Sequence, residues 1–221
     1  MLSRAMLTVS ILLIGALAIV AVAAGLSLPP DMSLPMHWNA AGEVDGWGNK
    51  WLALLAPVGL ACFTTILVAG ARFITPQADN MVRSAGLVRI VWLGLIGLAW
   101  AIELMVLAFA FHWHVAPARL LLVAMGLFFA AMGNQFGKTR PMWFVGIRTP
   151  WTLTDPDIWI ATHRLGGKLF MLAGLIWLAA GLLGLAGPRV MPVLTGILLI
   201  AALFPAFWSY VLWRRKGPNR A

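Results

Sequence analysis

Six apolar runs, each long enough to cross a bilayer, constrain this chain more than any motif in it. A hydrocarbon core of about 30 Å is spanned by roughly 20 apolar residues in helix. Runs of that kind, bounded by charge, proline or polar clusters, lie at residues 6–28, 51–71, 86–112, 116–133, 168–186 and 190–213; the fourth is short and the third long. Composition agrees, since 62% of the 221 residues are hydrophobic and 10% charged, against about 45–50% and about 25% in soluble domains. So much apolar surface must face something other than water. That excludes the soluble enzyme folds and predicts an all-α integral membrane protein with six transmembrane helices. Pro57 and Pro205 fall inside the second and sixth runs, where each removes a backbone donor and is expected to kink its helix.

The net charge of +9 would suggest nucleic acid in a soluble protein. In a membrane protein, basic residues gather at cytoplasmic ends for topological reasons, and no direct nucleic-acid role is expected. Arg4, Arg72, Arg83, Arg89, Lys138, Arg140, Arg148, Arg164, Lys168, Arg214, Arg215, Lys216 and Arg220 fall on one side of the six runs, and only Lys50, Arg119 and Arg189 on the other. The positive-inside rule then predicts both termini in the cytoplasm. The start, with Arg4, an apolar run and Ala21, Ala23 and Ala24, has features of a cleavable signal peptide. Its run exceeds the usual h-region of about 7–15 residues, so a retained span is expected. The single cysteine, Cys62, sits in an apolar run and is read as a packed thiol. The expected organisation is one membrane domain: residues 1–72 with an outer loop at 29–50, residues 73–133 as spans three and four, a cytoplasmic segment at 134–168, and residues 169–221 as spans five and six with a basic tail.

Two connectors are unusual. In the outer one, Pro29, Pro30 and Pro35 forbid a continuous helix, Asp45-Gly46 is a turn signal, and Trp38, Trp47 and Trp51 suit an interfacial belt. A compact outer loop is expected. Its His37, Asn39, Glu43, Asp45 and Trp47 form the candidate ligand-binding surface. With His112 and His114 from the end of span three, His37, Glu43 and Asp45 are also candidate metal ligands, although the spacing fits no established metal signature. The competing reading makes these residues turn-stabilising polar groups, and no cofactor is expected.

The inner connector contains a helix start. Thr154 is placed to cap, Asp155 and Asp157 sit near the positive helix end, and Pro156 suits a first turn. Ile158, Thr162 and Leu165 share one face near Trp159, while His163, Arg164 and Lys168 are polar, which predicts one short cytoplasmic interfacial helix leading into span five, its basic residues toward lipid phosphates. Before it, Gly146-Ile147-Arg148-Thr149-Pro150-Trp151 reads as a tight, aromatic, cationic turn. Arg148 there either binds a carboxylate or phosphate in bidentate fashion or satisfies helix-end carbonyls and headgroups.

These segments together resemble the SdpI family of bacterial integral-membrane toxin-immunity proteins. Residues 34–47, LPMHWNAAGEVDGW, resemble the family's amino-terminal conserved region, a separately named domain of unknown function. Gly133-Asn134, Arg140-Pro141, residues 146–153 (GIRTPWTL), Trp159 and Thr162-His163-Arg164 resemble its carboxyl-terminal signature. The resemblance implies a six-helix protein of the bacterial inner membrane that protects against a secreted peptide toxin and holds a transcriptional autorepressor at the membrane. It makes Asn134, Arg140, Arg148, Thr149, Pro150, Trp151, His163 and Arg164 the candidate cytoplasmic site. Where the family pattern has Asn after the Arg-Pro pair, Met142 stands instead.

Two other classes compete. A transporter of ions or small solutes would use an intramembrane ionisable group, and Glu103, about 13 Å inside the outer edge of span three, is the candidate, with His112, His114 or Arg119 as partners. Its bland counterpart is a buried carboxyl that fixes helix packing. A structural or lipid-binding role is the other class; Gly181, Gly184 and Gly187 would allow helices to approach closely. No motif of a serine, cysteine or metal hydrolase is found, so enzyme activity is not expected.

Overall fold

The apolar runs become long helices in the computed structural model, which describes residues 4–39, 42–75 and 78–217. Helix α1 (Arg4–Ser27) leads into an antiparallel hairpin, β1 (Ser33–Trp38) and β2 (Val44–Asn49). Then come α2 (Lys50–Ile74), a short α3 (Ala78–Arg83), α4 (Ala85–Ala110), α5 (Pro117–Phe136), a short α6 (Pro150–Thr154), α7 (Pro156–Leu182) and α8 (Val190–Lys216). Six of these helices, α1, α2, α4, α5, α7 and α8, are long and apolar enough to cross a membrane. The protein is a helical multi-pass bundle with a β-hairpin at one end.

Helices α1, α2 and α4 pack with the hairpin into one half, α5, α7 and α8 into the other, and α4 against α5 joins them. A shared core carries Leu17 and Val68, Trp92 and Ile96, Phe129, Phe170 and Trp159. The outward faces are apolar too, with Ile11, Leu12, Ile19, Ile66, Leu203 and Phe207 exposed. Helices apolar all round suit a bilayer, where only packing distinguishes the inner face from the outer.

Between α5 and α7 that packing depends on glycine. Gly126 and Gly133 on α5 and Gly167, Gly174 and Gly181 on α7 recur every seven residues, which keeps one stripe facing the partner through two turns. A Cβ at Gly133 would lie 2.7 Å from the Gly167 carbonyl oxygen, and one at Gly174 would lie 2.8 Å from that of Gly126. Those obstacles are backbone, which cannot rotate away. Gly184 and Gly187, expected to pack helices, instead lie beyond α7 at φ +70° and +152° and shape the turn into α8.

Three local expectations change. The outer connector is a hairpin rather than a loop, its strands still paired at Trp38 and Val44, with Gly42 at φ +83° and the Glu43 N–H donating to Asn39 Oδ1 at 3.0 Å. Asp45-Gly46 therefore lies within β2, and Gly46 is required there because a Cβ would fall 2.9 Å from the His37 Cβ. The interfacial helix is not a separate element, since α7 runs unbroken from Pro156 to Leu182. At ~1.5 Å per residue it is about 40 Å long, so it covers the hydrocarbon core and still projects beyond it. Its cap is not Thr154 but Asp155, which accepts from the N–H groups of Asp157 (2.9 Å) and Ile158 (3.2 Å). The Thr154 hydroxyl donates instead to the Pro150 carbonyl at 2.9 Å, within α6.

Candidate functional site

At the hairpin end, four of the five ligand-binding candidates pair with one another. His37 Nδ1 lies 2.5 Å from Asp45 Oδ1 across the two strands, and Asn39 Nδ2 donates to Glu43 Oε2 at 3.0 Å. Trp47 is exposed and meets Phe109 of α4 edge-on, 5.2 Å between ring centroids. Leu34 and Pro35 are buried, which seats the hairpin on the bundle. Lys50, on the side expected to carry few charges, is buried. Its Nζ donates to the carbonyls of Gly25 and Leu28, both at 2.8 Å, and so satisfies acceptors at the end of α1 that the helix leaves open.

The candidate metal ligands are not brought together. Among the described residues no three His, Cys, Asp or Glu side chains are placed to hold a metal ion. His37 and Asp45 are engaged with each other, and His112 and His114 lie past the end of α4.

At the opposite end, the signature residues form a lock between the 137–149 segment, α6, α7 and α8. His163, expected to face headgroups, is fully buried and stacks on Trp159 at 3.8 Å between ring centroids. Its Nδ1–H donates to the Trp159 carbonyl and its Nε2 accepts the Ile147 N–H, both at 2.9 Å. An acceptor Nε2 makes the ring neutral, and both nitrogens are satisfied. Gly146, at φ +131°, lies so close that a Cβ would come 2.7 Å from His163 Nε2 and 2.8 Å from the Trp159 ring. Trp159 Nε1 in turn donates to Thr139 Oγ1 at 3.1 Å.

A second knot ties the turn to α8. Thr149 caps α6 in a reciprocal box with Thr152, ahead of Pro150 in the first turn. Thr149 Oγ1 lies 3.1 Å from Ser209 Oγ of α8, Trp151 Nε1 donates to the same Ser209 oxygen, and the Trp151 ring stacks on Trp213. Trp151 is thus a joint within the protein rather than a free interfacial anchor. Lys216, ending α8, reaches Asp155 (2.6 Å) and Asp157 (3.1 Å). Partial burial pushes the Asp155 carboxyl up, but hydrogen bonds from Lys216 and from the Ile158 and Asp157 N–H groups outweigh it and hold its pKa below the ordinary value.

The remaining signature residues face outward. Asn134, Arg140, Arg148 and Arg164 are exposed. Arg148 Nη1 donates to the Trp143 carbonyl at 2.5 Å, and the Arg140 N–H donates to Ser84 Oγ at 2.9 Å. Met142 is fully buried in the shared core, a site that suits a thioether better than an amide without a partner.

Glu103 sits inside α4, fully buried, and neither carboxyl oxygen has a hydrogen-bond partner among the described residues. Arg119, one expected partner, donates instead to the Leu182 carbonyl at 2.9 Å. Sequence reasoning missed Lys50, Thr139 and Ser209 as structural partners. The seven-residue glycine spacing was a visible signal for the α5–α7 contact, whereas Ser209 offered none.

The hairpin and the lock each fall inside a region shared with known proteins. Residues 138–209 match the SdpI/YfhL protein family, and residues 11–61 match a domain of unknown function, DUF1648. The resemblance to the SdpI family holds. The SdpI match covers the 138–149 segment, α6, all of α7 and most of α8, while the DUF1648 match covers the hairpin and parts of α1 and α2. A protein named Immunity protein SdpI, from Bacillus subtilis (strain 168), is 24% identical over 123 residues, which is 56% of this chain and 58% of that protein. No solved structure matches the chain.

Proposed function

We propose that this protein is an SdpI-like immunity protein of the bacterial inner membrane, which receives an extracytoplasmic peptide toxin at the hairpin and presents the basic end to a cytoplasmic partner. The observation that carries this reading is that the hairpin, inside one matched region, and the lock, inside the other, stand at opposite ends of one bundle. In this reading the positive-inside rule sets the hairpin outside and the lock inside. The paired His37–Asp45 and Asn39–Glu43 groups hold a stiff polar face, and exposed Trp47 adds an aromatic contact of the kind enriched at binding surfaces. Exposed Arg148 and Arg164 contact the partner through charge-assisted hydrogen bonds, with a transcriptional repressor as the class implied by the resemblance. A toxin changes that surface only if it binds two arrangements of the spans with different affinity.

The test is expression in a host sensitive to a secreted peptide toxin, with survival as the readout. Protection is expected, with loss in the combined His37→Ala, Glu43→Ala, Asp45→Ala variant at unchanged membrane abundance. Unchanged protection in that variant would remove the hairpin as receiver. Arg148→Ala is expected to keep survival while losing crosslinks to a cytoplasmic protein. A second reading, transport of an ion or small solute, is favoured by the buried Glu103, which has no hydrogen-bond partner among the described residues. It requires ion or solute flux in reconstituted vesicles that Glu103→Gln abolishes.

A further inference from the structure

The crevice between α4 and α5 holds a groove of about 440 Å³, lined by Leu93, Gly97, Ala124, Leu127 and Phe128, with Arg89 at one end. Two glycines shape it. At Gly94 a Cβ would strike the Phe128 ring, so glycine there lets the ring lie against α4. At Gly97 a Cβ would meet nothing within 4 Å, so the slot beside it is open. Leu93 and Leu127 are exposed, which places the groove on the surface that faces lipid.

Arg89 is exposed, and its Nε donates to the Ala85 carbonyl of its own helix at 3.2 Å. Its terminal nitrogens have no hydrogen-bond or ion-pair partner among the described residues. Four residues into α4, it lies about 6 Å from the helix start, near the boundary between hydrocarbon and headgroups. Beyond it, where α4 begins and α5 ends, is a small polar pocket of about 50 Å³ that includes Arg83 of α3, Gln135 of α5 and Lys138 just past α5. The crevice thus grades from apolar to cationic, and no acidic side chain lines either part.

We propose that this crevice binds one anionic phospholipid, with an acyl chain along Gly97 and Phe128 and the phosphate on the Arg89 guanidinium. A guanidinium suits a phosphate in bidentate geometry. Arg83 and Lys138 extend the cationic end, favouring an anionic headgroup over one that carries its own cation. This inference stands apart from the toxin reading.

The experiment uses the full chain in detergent, with retained lipid counted by native mass spectrometry. The probes are phosphatidylglycerol and phosphatidylcholine with identical acyl chains, and soluble glycerol 1-phosphate as a competitor. Phosphatidylglycerol is expected to be retained preferentially, and Arg89→Gln to cut that preference about five-fold, the worth of one basic contact near an anionic surface. Gly97→Leu, which fills the slot, is expected to reduce retention of both lipids. Gly97→Ala, a smaller plug, does so to a lesser degree with helical content unchanged. Arg215→Gln, at a guanidinium that rests over Trp208 on α8, is expected to leave the preference intact. Equal retention of the two lipids, a preference that survives Arg89→Gln, or retention unchanged in both Gly97 variants would overturn the proposal. Displacement by glycerol 1-phosphate would overturn it in favour of a free-anion site.

Discussion

His163→Ala removes a ring whose two nitrogens serve the Trp159 carbonyl and the Ile147 N–H. It leaves a cavity beside Trp159 and an unsatisfied, part-buried N–H at Ile147, each a recognised source of destabilisation. The expected loss is about 3 kcal/mol or more, read as a lower melting temperature in detergent. Arg148→Ala, at an exposed side chain, should change stability by no more than about 0.5 kcal/mol. Equal losses in the two variants would contradict this division of labour within one motif. Glu103 presents the reverse case, a buried polar group with no hydrogen-bond partner among the described residues. Glu103→Met keeps the volume and removes the desolvation cost, so stability should rise by about 1 kcal/mol. A fall in melting temperature would instead give the carboxyl a structural partner.

Among the helices, α5 and α7 depend on a stripe without side chains, and the consequences of adding a methyl group differ by position. At Gly133 the new Cβ meets the Gly167 carbonyl and the Met171 backbone, so the helices must separate. Gly133→Ala should cost about 1–3 kcal/mol, the usual range for overpacking a close contact. At Gly59 of α2 a Cβ meets nothing within 4 Å. Gly59→Ala should therefore stabilise by up to about 1 kcal/mol through the better helix propensity of alanine. Thermal melts of the two variants, followed by circular dichroism in the same detergent, check both signs. The glycine spacing itself was legible as a repeat of seven. That it faces α7 from α5, rather than lipid, depends on which helices pair.

For the whole molecule, six crossings put the first and last described residues on one side of the membrane, together with the lock. The basic residues gathered on that side predict that it faces the cytoplasm. With Cys62 replaced by Ser, a cysteine at Trp47 should react with an impermeant maleimide in intact cells, and a cysteine at Arg148 only after permeabilisation. The reverse pattern would turn the molecule over and move the proposed toxin surface to the cytoplasm.

Apolar length alone determined the six helices, because a bilayer demands about 20 apolar residues whatever the neighbours are. The two motifs likewise marked the hairpin and lock segments as unusual, since proline, glycine and tryptophan in short connectors restrict the backbone and favour interfaces. Tertiary structure decided the rest. His163 looks polar in sequence and is buried, because Ile147 and Trp159, sixteen and four residues away, supply what its nitrogens need. Lys50 looks like an outer charge and is buried, because α1 ends with open carbonyls beside it. Thr149 and Trp151 meet Ser209 some sixty residues on, across the α6–α8 contact. A buried polar group is stable only where a partner stands, and sequence-distant partners are fixed by how the helices pack.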